Sequence, residues 1–185
     1  MKRINKDEIR IDFSAATIDD KAEIFNLFEF VIRDNFYRDQ IDQTMHDFML
    51  EEIENQKNSF SASFIQQNDN RYFKLTIDQT ICGVIAYGKA GELITDHLPI
   101  PFDMPEIKSV MILPDYHHQG LGTFLFDHLI EIIKAQGYNG YCLDCGYRCS
   151  QGFWIKKLSE PALCLKDFWG EGYNHLIWKN EFLQK

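Results

Sequence analysis

The stretch from Glu106 to Gly137, EIKSVMILPDYHHQGLGTFLFDHLIEIIKAQG, constrains this chain more than any other. An apolar run, Val110 to Leu113, meets Pro114 and then the turn HHQGLG. Leu125, Leu129, Ile132 and Ile133 follow at helical spacing. The pattern predicts a strand over Glu106 to Leu113 and a helix over Gly122 to Gln136. Gly137 is suited to end that helix, because glycine takes the left-handed conformation of a C′ position without steric cost. A strand, a glycine turn and a helix N-terminus in that order can cradle a phosphate. Gly120 and Gly122 lack a Cβ, so their N–H groups can approach an anion closely. The first helical turn adds amides without intrahelical partners and the positive end of the helix dipole. A tight connection that binds nothing is the alternative. The turn is not a P-loop, since no Gly-Lys-Ser/Thr follows, and it lacks the third glycine of a dinucleotide fingerprint.

The remaining chain reads as alternating elements. Residues 1–7 form a polar tail, and Ile9, Ile11 and Phe13 alternate like a half-buried strand. Thr17 opens a helix with Asp20 in a variant capping box. Ile24, Leu27, Phe28, Val31 and Ile32 stripe that helix, which is expected to end near Asp34-Asn35. A second helix is expected from Asp39 to Asn55, burying Ile41, Met45, Phe48, Met49 and Ile53. Its other face is acidic and reads as solvated. Phe60, Ala62 and Phe64 alternate like a short strand. Tyr72 to Ile77 and Ile81 to Tyr87 form a hairpin around Asp78-Gln79, with Gly83 marking a bulge. Lys89 to Pro105 is a long connection, either lining a site or making a surface excursion. Tyr141 to Tyr147 reads as a strand parallel to the Glu106 strand. A helix over Gln151 to Leu158 follows. Leu163 to Phe168 and Tyr173 to Trp178 close the chain as a hairpin around Gly170-Glu171-Gly172.

At 185 residues with 45% hydrophobic side chains, one folded domain spanning residues 1–185 is expected. A net charge of −9 disfavours a nucleic-acid face and suits a cationic substrate. The N-terminus lacks the apolar core of a signal peptide, and no apolar run is long enough to span a bilayer, so a cytoplasmic protein without a membrane partner is expected. Five cysteines, an odd number, suit free thiols in that compartment. Cys142, Cys145 and Cys149 lie close in sequence but lack a second pair at zinc spacing. Buried thiols and no metal are the better reading.

Glu106, Ile112, Leu113, Pro114, His117, Gly120 and Gly122 together resemble the signature of the GNAT superfamily of N-acetyltransferases. That signature is a strand-borne acid, then V-x-P, then R/Q-x-x-G-x-G/A at a helix start. His117 stands where the family usually has Arg or Gln, and His118 replaces a common Gly. The order of elements also resembles the GNAT layout across nearly the whole chain. The resemblance implies an α/β (α+β) fold with a mixed, mostly antiparallel twisted sheet of about 6–7 strands and about 4 helices. Two central parallel strands would splay to admit acetyl-CoA. It implies that acetyl-CoA binds as co-substrate, along the backbone of Met111, Ile112 and Leu113. Its pyrophosphate would lie against His117, His118, Gln119, Gly120, Leu121, Gly122 and Thr123.

The reaction so implied moves acetyl from the cofactor sulfur to an amine of a small molecule, peptide or protein. Glu106 is the candidate base, its pKa raised by burial or its proton relayed through water. It lies about 20 Å along the strand from Leu113. Relatives often carry a Tyr in an FY pair on the next short helix. Here the pair is Phe153-Trp154, and indole is no acid. Tyr147 is the candidate acid in its place, with packing as its other role. Two further readings remain open: a GNAT-fold module that holds acyl-CoA without transfer, and an interaction protein without cofactor. The closing hairpin offers an edge for a homodimer.

Overall fold

The computed structural model describes residues 10–182. The expected tail, residues 1–7, lies outside them, as does Ile9. The chain forms two compact units. One comprises described residues 10–87 with Ser109–Ile130, and the other Gly88–Lys108 with 131–182.

In the first unit, β1 (Ile11–Ala15) carries Ile11 and Phe13 of the expected alternation. Thr17 and Asp20 make the expected cap. The Asp20 carboxylate accepts the Thr17 backbone N–H at 2.7 Å and its hydroxyl at 3.0 Å. A 3₁₀ turn then leads into α1 (Lys21–Arg38). This helix runs past Asn35, where an end was expected, because Asn35 is buried and Asp39 caps the end with its N–H on the Asn35 carbonyl. Helix α2 (His46–Phe64) starts later and runs further than its expected bounds. Its buried stripe is Met49, Ile53 and Phe60, whereas Phe48 is exposed. The expected strand over Phe60–Phe64 is therefore helix. Phe60 and Phe64 pack against each other four residues apart, with tilted rings and centroids at 4.9 Å, as neighbours one helical turn apart do. Phe60 also meets Tyr72 at 5.1 Å and Phe28 at 6.4 Å, so three elements share one aromatic cluster.

Strands β2 (Arg71–Ile77) and β3 (Thr80–Lys89) pair antiparallel. Asp78 and Gln79 join them with positive φ at both positions, the geometry that matches strand twist in a two-residue hairpin. Leu75 pairs with Gly83 but Thr76 pairs with Ile81, so Cys82 is the extra residue of the expected bulge. A Cβ on Gly83 would collide with Ile112 Cδ1 and sit 3.2 Å from the Met111 carbonyl oxygen. We expect Gly83→Ala to cost about 1–3 kcal/mol through overpacking, read as a lower urea midpoint.

β4 (Pro105–Ile112), a 3₁₀ turn at Pro114–Tyr116 and α4 (Leu121–Ala135) follow the sequence expectation closely. Gly137, with φ +85, ends α4 as expected. Its N–H donates to Lys134 and the Tyr138 N–H donates to the Ile133 carbonyl.

In the second unit, the long connection is a packed segment rather than an excursion. It carries the short helix α3 (Glu92–Thr95) and buries Ile94 and Met104 with Cys142 and Ile177. β5 (Gly140–Cys145) pairs in parallel with β4, registered at Glu106 opposite Cys142. Helix α5 (Arg148–Leu158) starts three residues earlier than expected. β6 (Leu163–Leu165) is shorter, and β7 (His175–Glu181) is shifted and longer, than the expected hairpin. The wide turn between them is pinned by Asp167, which accepts the Gly172 N–H at 2.6 Å, and by Asn174, which accepts the Asp167 N–H at 2.9 Å. β7 pairs antiparallel with both β5 and β6. The hydrogen-bonded strand order is β1-β2-β3-β4-β5-β7-β6, a mixed and mostly antiparallel arrangement of the expected class. No helix among the described residues is long and apolar enough to cross a membrane.

Candidate active site

β4 carries a buried acid near its start and leads into the glycine turn at its end. Glu106 is 8% exposed. Its Oε2 accepts the Gly91 N–H at 2.7 Å and lies 3.1 Å from Lys108 Nζ. Lys108 also donates to the Lys89 carbonyl at 3.0 Å, so the base of the Lys89–Pro105 segment is tied to the strand. The β4–β5 register places Cys142 opposite Glu106, and Asp144, two residues on, shares that face of β5. Burial pushes the Glu106 carboxyl above the ordinary range. Lys108 opposes that shift, the nearby Asp144 charge adds to it, and the net direction is up. The same burial, with the Glu106 charge beside it, pushes the Cys142 thiol up to about 12. Cys142 is thus an inert thiol, as its strand position suggested. Among the described residues no group of three or more His, Cys, Asp or Glu could hold a metal ion.

At the other end of β4, the Leu113 N–H donates to the Cys82 carbonyl at 2.9 Å and anchors the strand. That amide is therefore engaged within the protein. Pro114 cannot continue a ladder, and the 3₁₀ turn begins there. His118 (φ +60) and Gly120 (φ +82) are both left-handed, the kind of backbone in which successive N–H groups converge on an anion. The space over Gly120 is open, with nothing within 4 Å of where a Cβ would stand. The first helical bond of α4 runs from the Phe124 N–H to the Gly120 carbonyl at 3.0 Å. By helix geometry the amides of Leu121, Gly122 and Thr123 have no intrahelical acceptor. The turn therefore fits a phosphate group. The Gln119 amide instead braces the turn, donating to the Asp115 carbonyl at 3.2 Å.

His117 is held at both ring nitrogens. Nε2 lies 2.8 Å from the Ile112 carbonyl and Nδ1 lies 3.4 Å from Arg38 Nη1. A carbonyl only accepts and a guanidinium only donates, so these partners assign the proton to Nε2.

Tyr147 is half-buried and caps α5. Its carbonyl accepts the Ser150 and Gln151 N–H groups. Phe153 and Trp154 lie on that helix as expected, edge to face at 4.8 Å, with Trp154 buried.

Residues 33–148 match the acetyltransferase (GNAT) family. The chain belongs to that family. Among solved structures, the GNAT chain resembles the PaiA N-acetyltransferase of Thermoplasma acidophilum in complex with coenzyme A, at 16% identity and a TM-score of 0.66, covering 94% of this chain and 99% of that one. It also resembles the ribosomal-protein-S18-alanine N-acetyltransferase of Escherichia coli, at 13% identity and a TM-score of 0.62, covering 95% and 97%. At these identities the likeness is one of fold. No curated protein sequence matches the chain.

Five residues around Glu106 and the glycine turn were missed in the sequence. Gly91 and Lys108 hold Glu106, Asp144 adds charge beside it, and Arg38 meets His117 from α1. Ser109 is the fifth, with φ +54 inside β4 and its hydroxyl on Gln56 Oε1 at 2.7 Å. Left-handed backbone at a non-glycine strand residue is strained and clusters at functional sites. Asp144 had a readable signal, as the one charge in the strand YCLDC, and so had Lys108, two residues from Glu106 in the same predicted strand.

Proposed function

We propose that this GNAT protein transfers acetyl from acetyl-CoA directly to the amine of an acceptor, with residues 1–185 acting as one catalytic domain. The observation that carries this reading is the buried Glu106 with its raised pKa, on the strand that leads into the glycine turn. An alkyl ammonium has a pKa near 10.4 and must lose a proton before it attacks. An ordinary carboxylate is a weak base for that task, and burial narrows the gap. Glu106 is therefore the base, receiving the amine proton at its carboxylate. The amides of Gly120 to Thr123 hold the pyrophosphate, with His117, His118 and Gln119 shaping the turn. Bound acetyl-CoA supplies an activated acyl carbon and a thiolate leaving group. The Met111 and Ile112 backbone lines the path of the pantetheine arm. Tyr147 is the proposed proton donor to the departing sulfur, since Trp154 has no acidic hydroxyl. A thiol pKa near 8.5 leaves that help modest.

The acceptor is an amine of a small molecule, peptide or protein, which the net charge of −9 would attract as a cation. Free thiols at all five cysteines suit a cytoplasmic protein. β6 ends the strand order and offers an edge on which a second copy could pair.

Calorimetry with acetyl-CoA and thiol release on an amine panel test the reading. Binding together with amine-dependent thiol release is expected. Binding without release on any amine would favour a module that only holds acyl-CoA. No binding would leave an interaction protein without cofactor.

A further inference from the structure

The turn at the start of α4 has the backbone for a phosphate but brings no cation of its own. From Ser109 to Ile133 the sequence contains no Lys or Arg, and Asp115 places a negative charge within the turn. His117 is turned toward the protein instead. Its Nε2–H points at the Ile112 carbonyl, and its Nδ1 lone pair faces Arg38. Both nitrogens are thus engaged with the protein, and the ring acts as a strut. The cation that does reach the turn is Arg38, from the last turn of α1, which lies 79 residues away in sequence. Its side chain is 34% exposed, and its Nη1 lies 3.7 Å from Asp34 Oδ2. A guanidinium has five N–H donors in a planar fork. With Nη1 directed to His117 and Asp34, the fork is oriented but not consumed.

We propose that Arg38 is a cofactor-binding residue whose guanidinium, aimed by His117, contacts a phosphate of the coenzyme at this turn. The proposal rests on the reading that the turn binds acetyl-CoA. His117 is then a positioning residue that acts through Arg38. The arrangement accounts for a turn that keeps its glycine yet has histidine in place of the usual Arg or Gln.

Calorimetry of acetyl-CoA binding tests it. Arg38→Gln should raise Kd by about tenfold, and Arg38→Lys, which keeps the charge but loses the fork, by less. The wild-type affinity should fall as salt is raised, and Arg38→Gln should show a shallower fall. His117→Ala should weaken binding less than Arg38→Gln, since it releases the guanidinium without removing it. With 3′-dephospho-CoA the Arg38→Gln loss persists if the pyrophosphate is the partner and vanishes if the 3′-phosphate is; either result supports a phosphate contact. With pantetheine, which has no phosphate, the two proteins should bind alike. An equal Arg38→Gln loss for pantetheine, or no loss for acetyl-CoA in a folded variant, overturns the proposal. Should Arg38→Gln fail to fold, Arg38→Lys decides alone, and an affinity and salt dependence equal to wild type sink it. Failure of the wild-type protein to bind acetyl-CoA sinks the underlying reading instead.

Discussion

Gly120→Glu should abolish measurable acetyl-CoA binding, with Kd raised at least about 100-fold, equivalent to about 2.7 kcal/mol. Two effects act together. The new carboxylate would enter the open space over the turn, where the phosphates are proposed to lie, and meet them charge against charge. Position 120 also has φ +82, which a residue with a Cβ adopts at a cost of about 1–2 kcal/mol. Gly120→Ala separates the two. It has the same backbone strain and no charge, so both variants should lose similar stability in urea unfolding. Only the glutamate variant should lose binding by two orders of magnitude. Equal affinity in wild type and Gly120→Glu would remove the turn from cofactor recognition. An equal loss in both variants would assign the effect to backbone distortion rather than to the anion.

The parts of this site that are local in sequence were legible, and those assembled from distant residues were not. Strand, proline, turn and helix from Pro105 to Gly137 lie within one continuous stretch, and each boundary is set by a residue with a local steric reason: Pro114, Gly120 and Gly137. The Thr17–Asp20 cap and the Cys82–Gly83 bulge are local for the same reason. The Phe60–Phe64 segment misled because its aromatic alternation fits a strand in isolation. Ring packing of Phe60 on Phe28 and Tyr72, which only the tertiary fold provides, rewards the helix instead. Asn35 misled likewise: a common helix stop in sequence is a buried residue inside α1. Of the groups around Glu106 only Lys108, two residues on in β4, is local; Gly91 comes from the preceding connection and Asp144 from β5, and Arg38 reaches His117 from α1. No spacing rule within one element encodes such meetings. Ser109 is similar, since nothing in the run IKSVMI announces a left-handed residue.

Glu106→Gln should lower turnover by about 100-fold while leaving acetyl-CoA affinity nearly intact, because the substitution removes a proton acceptor at the acid end of β4 and leaves the glycine turn unchanged. The shape of the loss is more telling than its size. In the wild-type protein, burial holds the carboxyl above its ordinary range, with Lys108 opposing and Asp144 reinforcing. The base is active only when ionised, so kcat/KM should climb as pH rises through that raised pKa. The glutamine variant should lack this limb. Stability should show the opposite slope. Between the ordinary carboxylate pKa and the raised folded value, the unfolded chain releases its proton first. The wild-type protein therefore loses stability as pH rises across that window, and Glu106→Gln, with no proton to release, should gain on it. Urea unfolding of both proteins over a pH series measures this directly. A rate limb that survives in the variant would assign the base to another group. Parallel stability curves would mean that the carboxyl is not raised in solution. If both slopes are lost together, the buried acid that destabilises the fold at neutral pH is also the group that takes the amine proton.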